Sequence, residues 1–193
     1  MLPNSKSELR LRLKSERNNL SALVASNASM QIARECIEIV PWGNIKSLHC
    51  YVPVWKEFET DSWHLFEYIW QKYPHIQTVV PRLNSDGAYD SVVVTPKTKW
   101  KMDQVRIPEP IDGDILDEKT QFDVVIVPML GFDDTGHRLG HGKGWYDRFL
   151  AGQSGATTIG LCYEAGLVQT GLPHEPHDIA LKYIVTERSV RKF

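Results

Sequence analysis

An α/β layered domain with a mostly parallel sheet is the fold class this chain predicts, on three observations. Short apolar runs with β-branched residues (IKSLHCYVPV, QTVVP, YDSVVVT, TTIGLCY, YIVT) are interspersed with segments of helical periodicity, the pattern of a sheet covered by helices. The run from Asp123 (DVVIVP) opens onto a loop holding Gly136, Gly140, Gly142 and Gly144, and the loop leaves through WYDRFL, which has helical character. A buried strand, a flexible anion-sized loop and a helix start together make a common way to hold phosphate. The length, 193 residues, suits one domain with a full core, residues 1–193, and no repeat or internal boundary divides it.

Composition narrows the setting. Hydrophobic content of 42% and charged content of 24% are those of a globular protein. A net charge of -2 gives no global pull toward nucleic acid or an anionic membrane, so phosphate binding must be local. Cys36, Cys50 and Cys162 are odd in number and widely spaced, as free thiols of a reducing compartment are. The start MLPNSKSELR is polar, and no apolar run approaches the ~18 residues of a membrane helix. The expectation is a cytoplasmic protein, monomeric, with no signal peptide.

Taken in order, Ser5 to Glu8 has capping-box spacing and opens a first helix. Leu9, Leu13 and Leu20 form its apolar row, with Lys6, Arg10, Lys14 and Arg17 around it. Lys6 and Arg10, four apart, share a face and repel unless an anion sits between them; a solvated basic face is the alternative. A second helix spans Ala22 to Val40, with Leu23, Met30, Ala33, Ile37 and Val40 as core positions, and Pro41 and Gly43 end it. Ile45 to Val54 reads as a strand that delivers Trp55 to Thr60 to a ligand crevice, placing Glu57 where a carboxylate could meet a substrate. Thr60 or Asp61 caps a third helix to Tyr73, whose Trp63 and Trp70 read as core. Two strands, Gln77 to Pro81 and Tyr89 to Thr95, flank a turn at Asn84 to Gly87. Residues 96–119 form a long irregular connector of the kind that serves as a lid. Beyond the glycine loop come strands at Thr157 to Tyr163 and Tyr183 to Thr186, separated by PHEPHD at a strand end.

The loop excludes two familiar nucleotide motifs. No glycine stands five before Gly142, and Lys143 is followed by Gly144 in place of Ser or Thr, so it is not a Walker A loop. Its glycines alternate, G-H-G-K-G, which is not dinucleotide spacing. Alternating glycines let the backbone approach a ligand closely, while Lys143 and Arg138 add mobile and forked positive charge. That combination suits a phosphoryl group whose charge shifts during transfer; a glycine-rich hairpin is the bland alternative. Asp147 follows the loop and Asp178 ends PHEPHD, a pair able to hold Mg²⁺ beside ATP if the fold joins them. The histidines offer a rival: His137 and His141, His174 and His177, with Asp133, Asp134 and Asp178, make a zinc inventory, although the glycines and Pro176 remove helical spacing.

VPMLGFDDTGHRLGHGKGWYDRFL resembles the signature of the 5-formyltetrahydrofolate cyclo-ligases, or methenyltetrahydrofolate synthetases: a proline, an apolar-Phe-Asp step, G-x-R-L-G-x-G-x-G, two aromatics and Asp. SKSELR, YVPVWKEFET, IPEP and PHEPHD are similar to the family's other elements in the same order. Trp145 stands where the family often has Tyr, Arg106 stands where it usually has Gly, and residues 96–104 match weakly. The resemblance implies a three-layer α/β/α fold akin to CoA transferases and sugar-phosphate isomerases. It implies conversion of 5-formyltetrahydrofolate to 5,10-methenyltetrahydrofolate with ATP and Mg²⁺, releasing ADP and phosphate. Lys6, Arg10, Arg138, Leu139, Gly140, His141, Gly142, Lys143, Gly144, Trp145 and Tyr146 would then line the ATP site. Val52, Glu57 and His141 to Trp145 would contact the folate, and Asp147 and Asp178 would ligate Mg²⁺. Arg138 and Lys143 would stabilise charge while Trp145, Tyr146 and Glu57 position the reactants. The competing classes are a non-catalytic relative that binds nucleotide or RNA, against which the retained Asp147, Asp178, Glu57 and Lys143 argue, and a dinucleotide oxidoreductase, which glycine spacing rejects.

Overall fold

Continuous β-branched runs with both faces buried place the core of the sheet. In β7 (Val124–Pro128), Val124 and Ile126 face one hydrophobic cluster, Val125 and Val127 the other, and all four are 0% exposed. Such a strand belongs inside a parallel sheet covered on both faces. The computed structural model describes residues 5–102 and 107–193; Arg106 lies outside them. The remaining strands are β1 (Ser47–Cys50), β2 (Gln77–Leu83), β3 (Tyr89–Val94), β4 (Trp100–Met102), β5 (Pro108–Pro110), β6 (Ile115–Leu116), β8 (Gly131–Phe132), β9 (Arg138–Leu139), β10 (Thr157–Leu161), β11 (Tyr183–Val185) and β12 (Val190–Lys192). The main sheet runs β12-β11-β10-β7-β1-β2-β3-β6. Its five central strands, β11 to β2, pair in parallel, and β12, β3 and β6 add antiparallel edges.

Helices α2 (Ala22–Ile39) and α3 (Trp63–Lys72) pack on the face that carries Leu48, Cys50, Val124 and Ile126. Helix α4 (Trp145–Ala151) covers the opposite face through Leu150, Phe149 and Tyr146. The three layers expected from the sequence are present. Helix α1 (Lys6–Asn18) belongs to neither cover: Leu9 and Leu13 pack with Leu130, Leu139, Val168 and Leu172 over the β8–β9 hairpin and its neighbours. No helix among the described residues is long and apolar enough to cross a membrane.

Several local expectations need correction. Helix α2 buries Ala25, Ala28, Ser29, Ile32, Ala33 and Cys36, whereas Leu23 is 71% and Met30 39% exposed; small residues on the buried stripe let the helix approach the sheet, and the larger pair faces out. Leu20 lies beyond the end of α1, and Arg17, read as part of the polar face, is buried. The first strand stops at Cys50 because the following chain turns away, with Val54 N–H donating to Glu59 Oε2 at 2.9 Å. The connector 96–119 contains the β4–β5 hairpin and the edge strand β6. PHEPHD lies in the crossover from β10 to β11, and β12 was not foreseen. Trp63 is a core aromatic as expected, edge-on to Trp100 at 5.0 Å.

The capping box is formed: Ser5 Oγ accepts from Glu8 N–H at 3.2 Å, and Ser5 N–H donates to Glu8 Oε2 at 2.8 Å. Ser5→Ala is expected to lower stability by about 1 kcal/mol in urea denaturation, and an unchanged midpoint would show that α1 does not depend on this cap.

Candidate active site

The glycine loop gets its shape from three left-handed positions, Gly136 (φ 85°), Gly142 (φ 93°) and Gly144 (φ 61°), which glycine adopts without strain. A Cβ on Gly142 would sit 3.2 Å from Arg10 Cζ. The bare glycine therefore lets the guanidinium lie against the loop, where Arg10 Nε donates to the Gly140 carbonyl at 2.8 Å. Lys143 is exposed, and its carbonyl accepts from Arg148 Nη1 at 3.2 Å.

Charged side chains far apart in sequence converge around this loop. Lys6 Nζ lies 2.5 Å from Asp178 Oδ2 and 3.9 Å from Glu175 Oε1. Burial would raise the Asp178 carboxyl, but Lys6 and the Glu175 N–H outweigh it and hold the pKa below the usual range. The Arg138 side chain is 5% exposed; Nη1 donates to Ile179 O and Nη2 to Asp147 Oδ1, both at 2.6 Å. Burial lowers the pKa of this guanidinium, with Asp147 opposing the shift. The peptide N–H of Ile179 also donates to Asp147 Oδ1, at 3.2 Å, so the backbone next to Asp178 touches the Asp147 carboxylate. The two acids expected to pair are thus neighbours.

Beyond β1 the chain makes a left-handed turn at Phe58 (φ 51°), the one non-glycine positive φ among the described residues, a strained position of the kind that gathers at functional sites. It sends two glutamates to different partners. Glu57 Oε1 accepts from Lys14 Nζ at 2.8 Å, and Oε2 lies 3.5 Å from Arg17 Nη2. Glu59, 7% exposed, meets His141 Nε2 at 3.1 Å and so ties the glycine loop to the loop after β1. Val52 is 8% exposed and packs in the larger core, offering the least surface of the expected folate contacts.

An aromatic floor adjoins the loop. Trp145 stacks on Phe149 at 4.9 Å and 10°, with Tyr146 edge-on at 4.5 Å and Tyr89 at 5.0 Å. His49, 0% exposed, packs against Phe149 at 4.5 Å and Phe122 at 5.2 Å. Burial pushes its pKa down to about 3, so the ring is neutral, and neither ring nitrogen has a partner among the described residues. The Tyr146 hydroxyl is likewise buried without a partner, and burial raises its pKa. Histidines 137 and 174 stack at 4.1 Å and 12°. Asp133 is already saturated by N–H groups of Thr135, His137 and Leu172 and by the Thr135 hydroxyl. No group of three or more His, Cys, Asp or Glu able to hold a metal occurs among the described residues.

Sequence reasoning named Lys6, Arg10, Glu57, Arg138, His141, Asp147 and Asp178, and the fold gathers them. It did not single out Lys14, Arg17, Glu59 or His49. Lys14 had a signal, since Lys6, Arg10 and Lys14 form one row at four-residue spacing; Glu59 and His49 had none.

The model of the 5-formyltetrahydrofolate cyclo-ligase family matches residues 3–187. A probable 5-formyltetrahydrofolate cyclo-ligase of Schizosaccharomyces pombe is 24% identical over 96% of both chains. The Escherichia coli K12 5-formyltetrahydrofolate cyclo-ligase is 32% identical over 68% of this chain and 74% of its own. The solved 5,10-methenyltetrahydrofolate synthetase of Aquifex aeolicus superposes with a TM-score of 0.81 at 27% identity, covering 97% of this chain and 92% of that one. With the family model spanning nearly its full length, this chain belongs to the 5-formyltetrahydrofolate cyclo-ligase family and is a ligase.

Proposed function

We propose that the protein closes 5-formyltetrahydrofolate to 5,10-methenyltetrahydrofolate at the expense of ATP, with Mg²⁺, releasing ADP and phosphate. The observation that carries this reading is the meeting of Lys6, Arg10, Asp147 and Asp178 beside the glycine loop, with Glu57 held nearby. A formamide carbon resists attack because its oxygen leaves badly. When the formyl oxygen takes the γ-phosphoryl group, the bond from phosphorus to ADP breaks and the carbon becomes electrophilic. The 10-nitrogen then attacks that carbon, loses its proton, and the C–O bond breaks to release phosphate. Closure within one molecule gains up to roughly 7–11 kcal/mol from orientation, so positioning and charge stabilisation are the protein's tasks.

Arg10 suits the phosphates. In the row Lys6, Arg10, Lys14 the two lysines face carboxylates, while Arg10 donates to a carbonyl. Lys143 supplies mobile charge from the loop, and Trp145 offers a face for the folate. Tyr146, its hydroxyl buried and unpaired, has a donor to give to a reactant. Arg138 acts through Asp147, since both its terminal nitrogens are engaged within the protein. The acids fit a hard cation: both hydrogen bonds to Asp147 end on Oδ1, and those to Asp178 end on Oδ2, which leaves on each an oxygen without a hydrogen bond for Mg²⁺, with His177 Nε2 4.0 Å from that of Asp178. That ion would neutralise charge between the phosphates. The reading extends to a cytoplasmic monomer acting on a small reduced folate, with neither nucleic acid nor membrane as a partner; what supports it is the net charge of -2 and the free cysteines.

Incubation with 5-formyltetrahydrofolate, ATP and Mg²⁺ should give the near-ultraviolet absorbance of the methenyl product. Folded protein that produces no rise would refute the activity.

A further inference from the structure

We propose that Lys14 and Arg17 are positioning residues for Glu57, holding its side chain as an oriented carboxylate that accepts N–H donors from the aminopyrimidinone ring of the reduced folate. This rests on the reading of Glu57 as a folate contact and adds the two residues that make it one.

The geometry is two-sided. Lys14 donates to Oε1 at 2.8 Å and Arg17 approaches Oε2 at 3.5 Å, so the carboxylate plane is held at both oxygens. Arg17 is 6% exposed on the inner side of α1, and its Nε is buried without a partner. Burying a guanidinium is costly unless an anion meets it, and Glu57 is the acidic group paired with it among the described residues. Neither the apolar packing of Leu9 and Leu13 nor the capping box needs an arginine here, which leaves Glu57 as the reason for it. The charged and titratable groups facing Glu57 are Lys14 and Arg17 from α1 and His141 from the glycine loop. Burial alone would raise the Glu57 pKa; Lys14, then His141 and Arg17, reverse that and bring it below the usual range. An ionised carboxylate only accepts, and two accepting oxygens match paired N–H donors on one edge of a ring. The pterin's amino group and adjacent ring N–H form such an edge.

The sign follows from the causes. Without Lys14 the burial effect is less opposed, so the pKa rises and the accepting form is lost at a higher pH. In calorimetric titrations reaching from below the usual carboxylate range up to pH 8, Lys14→Met should weaken 5-formyltetrahydrofolate binding about tenfold at pH 7, the scale of a charged hydrogen bond. Its acid limb should move to higher pH, and Lys14→Arg should restore both. ATP affinity should stay within about twofold, because Lys6 and Arg10 on the same helix report any displacement of α1. Arg17→Lys should show the same split more weakly. Glu57→Gln separates the failures. If it leaves folate affinity unchanged, Glu57 is no folate contact and this inference falls with that reading. If it weakens folate binding while Lys14→Met changes neither affinity nor pH limb, this inference alone is overturned. Equal losses of folate and ATP affinity in Lys14→Met would also overturn it, by assigning Lys14 to the placement of the helix.

Discussion

Lys143→Ala is expected to lower ATP-dependent turnover by roughly 10²–10³-fold, the usual cost of removing one charge-stabilising donor from a transferring group. It should do so without lowering the melting temperature. The Lys143 side chain is exposed, and its ammonium makes no hydrogen bond or ion pair within the described residues; what the structure records is its carbonyl accepting from Arg148. An exposed lysine on a glycine loop contributes almost nothing to folding, so its removal should act on turnover and leave stability alone. The neighbouring cations differ in kind. Lys6 is paired with Asp178 and Arg138 with Asp147, and substitution of either leaves a carboxylate without its partner. Lys143 is therefore the cleanest test of phosphate stabilisation. Kinetics at saturating ATP, beside a thermal melt, decide it: full turnover in Lys143→Ala would remove the residue from the chemistry.

The legible parts of this fold are those where one local signal and the tertiary environment agree. The capping box at Ser5 and the apolar run of β7 are of this kind, since the first is closed by its own four residues and the second is buried on both faces. Helix α2 was legible as a helix but only in part as a face. Its buried stripe is built of Ala25, Ala28, Ser29, Ile32, Ala33 and Cys36; Ala33, Ile37 and Val40 lie in or against the core as expected, while Leu23 and Met30 point to solvent, so apolar size alone does not mark the buried side. Strand β12 is the short tripeptide Val190–Lys192, held by pairing with β11, and the β4–β5 hairpin has prolines at both ends of β5. Neither carries a periodic signal of its own.

The site divides the same way. Lys6 and Arg10 announce themselves by spacing on one helix, but the Lys6–Asp178 contact spans 172 positions and no local pattern carries it. Glu57 and Glu59 look alike in the sequence. A left-handed turn at Phe58 gives one to α1 and the other to His141. His49 reads as an ordinary polar residue in a strand, and only the packing of Phe122 and Phe149 around it reveals a neutral ring with two unpaired nitrogens.

Asp147→Ala is expected to destabilise the protein by about 3 kcal/mol, at the low end for breaking a buried ion pair because water reaches the acid, and to abolish turnover. The side chain of Arg138 is 5% exposed and that of Asp147 21%. Removing the acid leaves a buried guanidinium with the Ile179 carbonyl as its recorded acceptor, and deprives the Ile179 N–H of its own. For a chain of this length the melting temperature should fall by roughly 6–12 °C. The two losses have separate causes, and a second variant distinguishes them. Arg138→Met combined with Asp147→Leu replaces the pair with apolar groups, which is often neutral for stability where removal of one partner is not. The double variant should melt close to the parent yet remain inactive, because the carboxylate proposed to hold Mg²⁺ is gone. A single variant as stable as the parent would mean that the pair does not hold Arg138 in place. A double variant with normal turnover would mean that Asp147 serves the fold and has no part in the reaction.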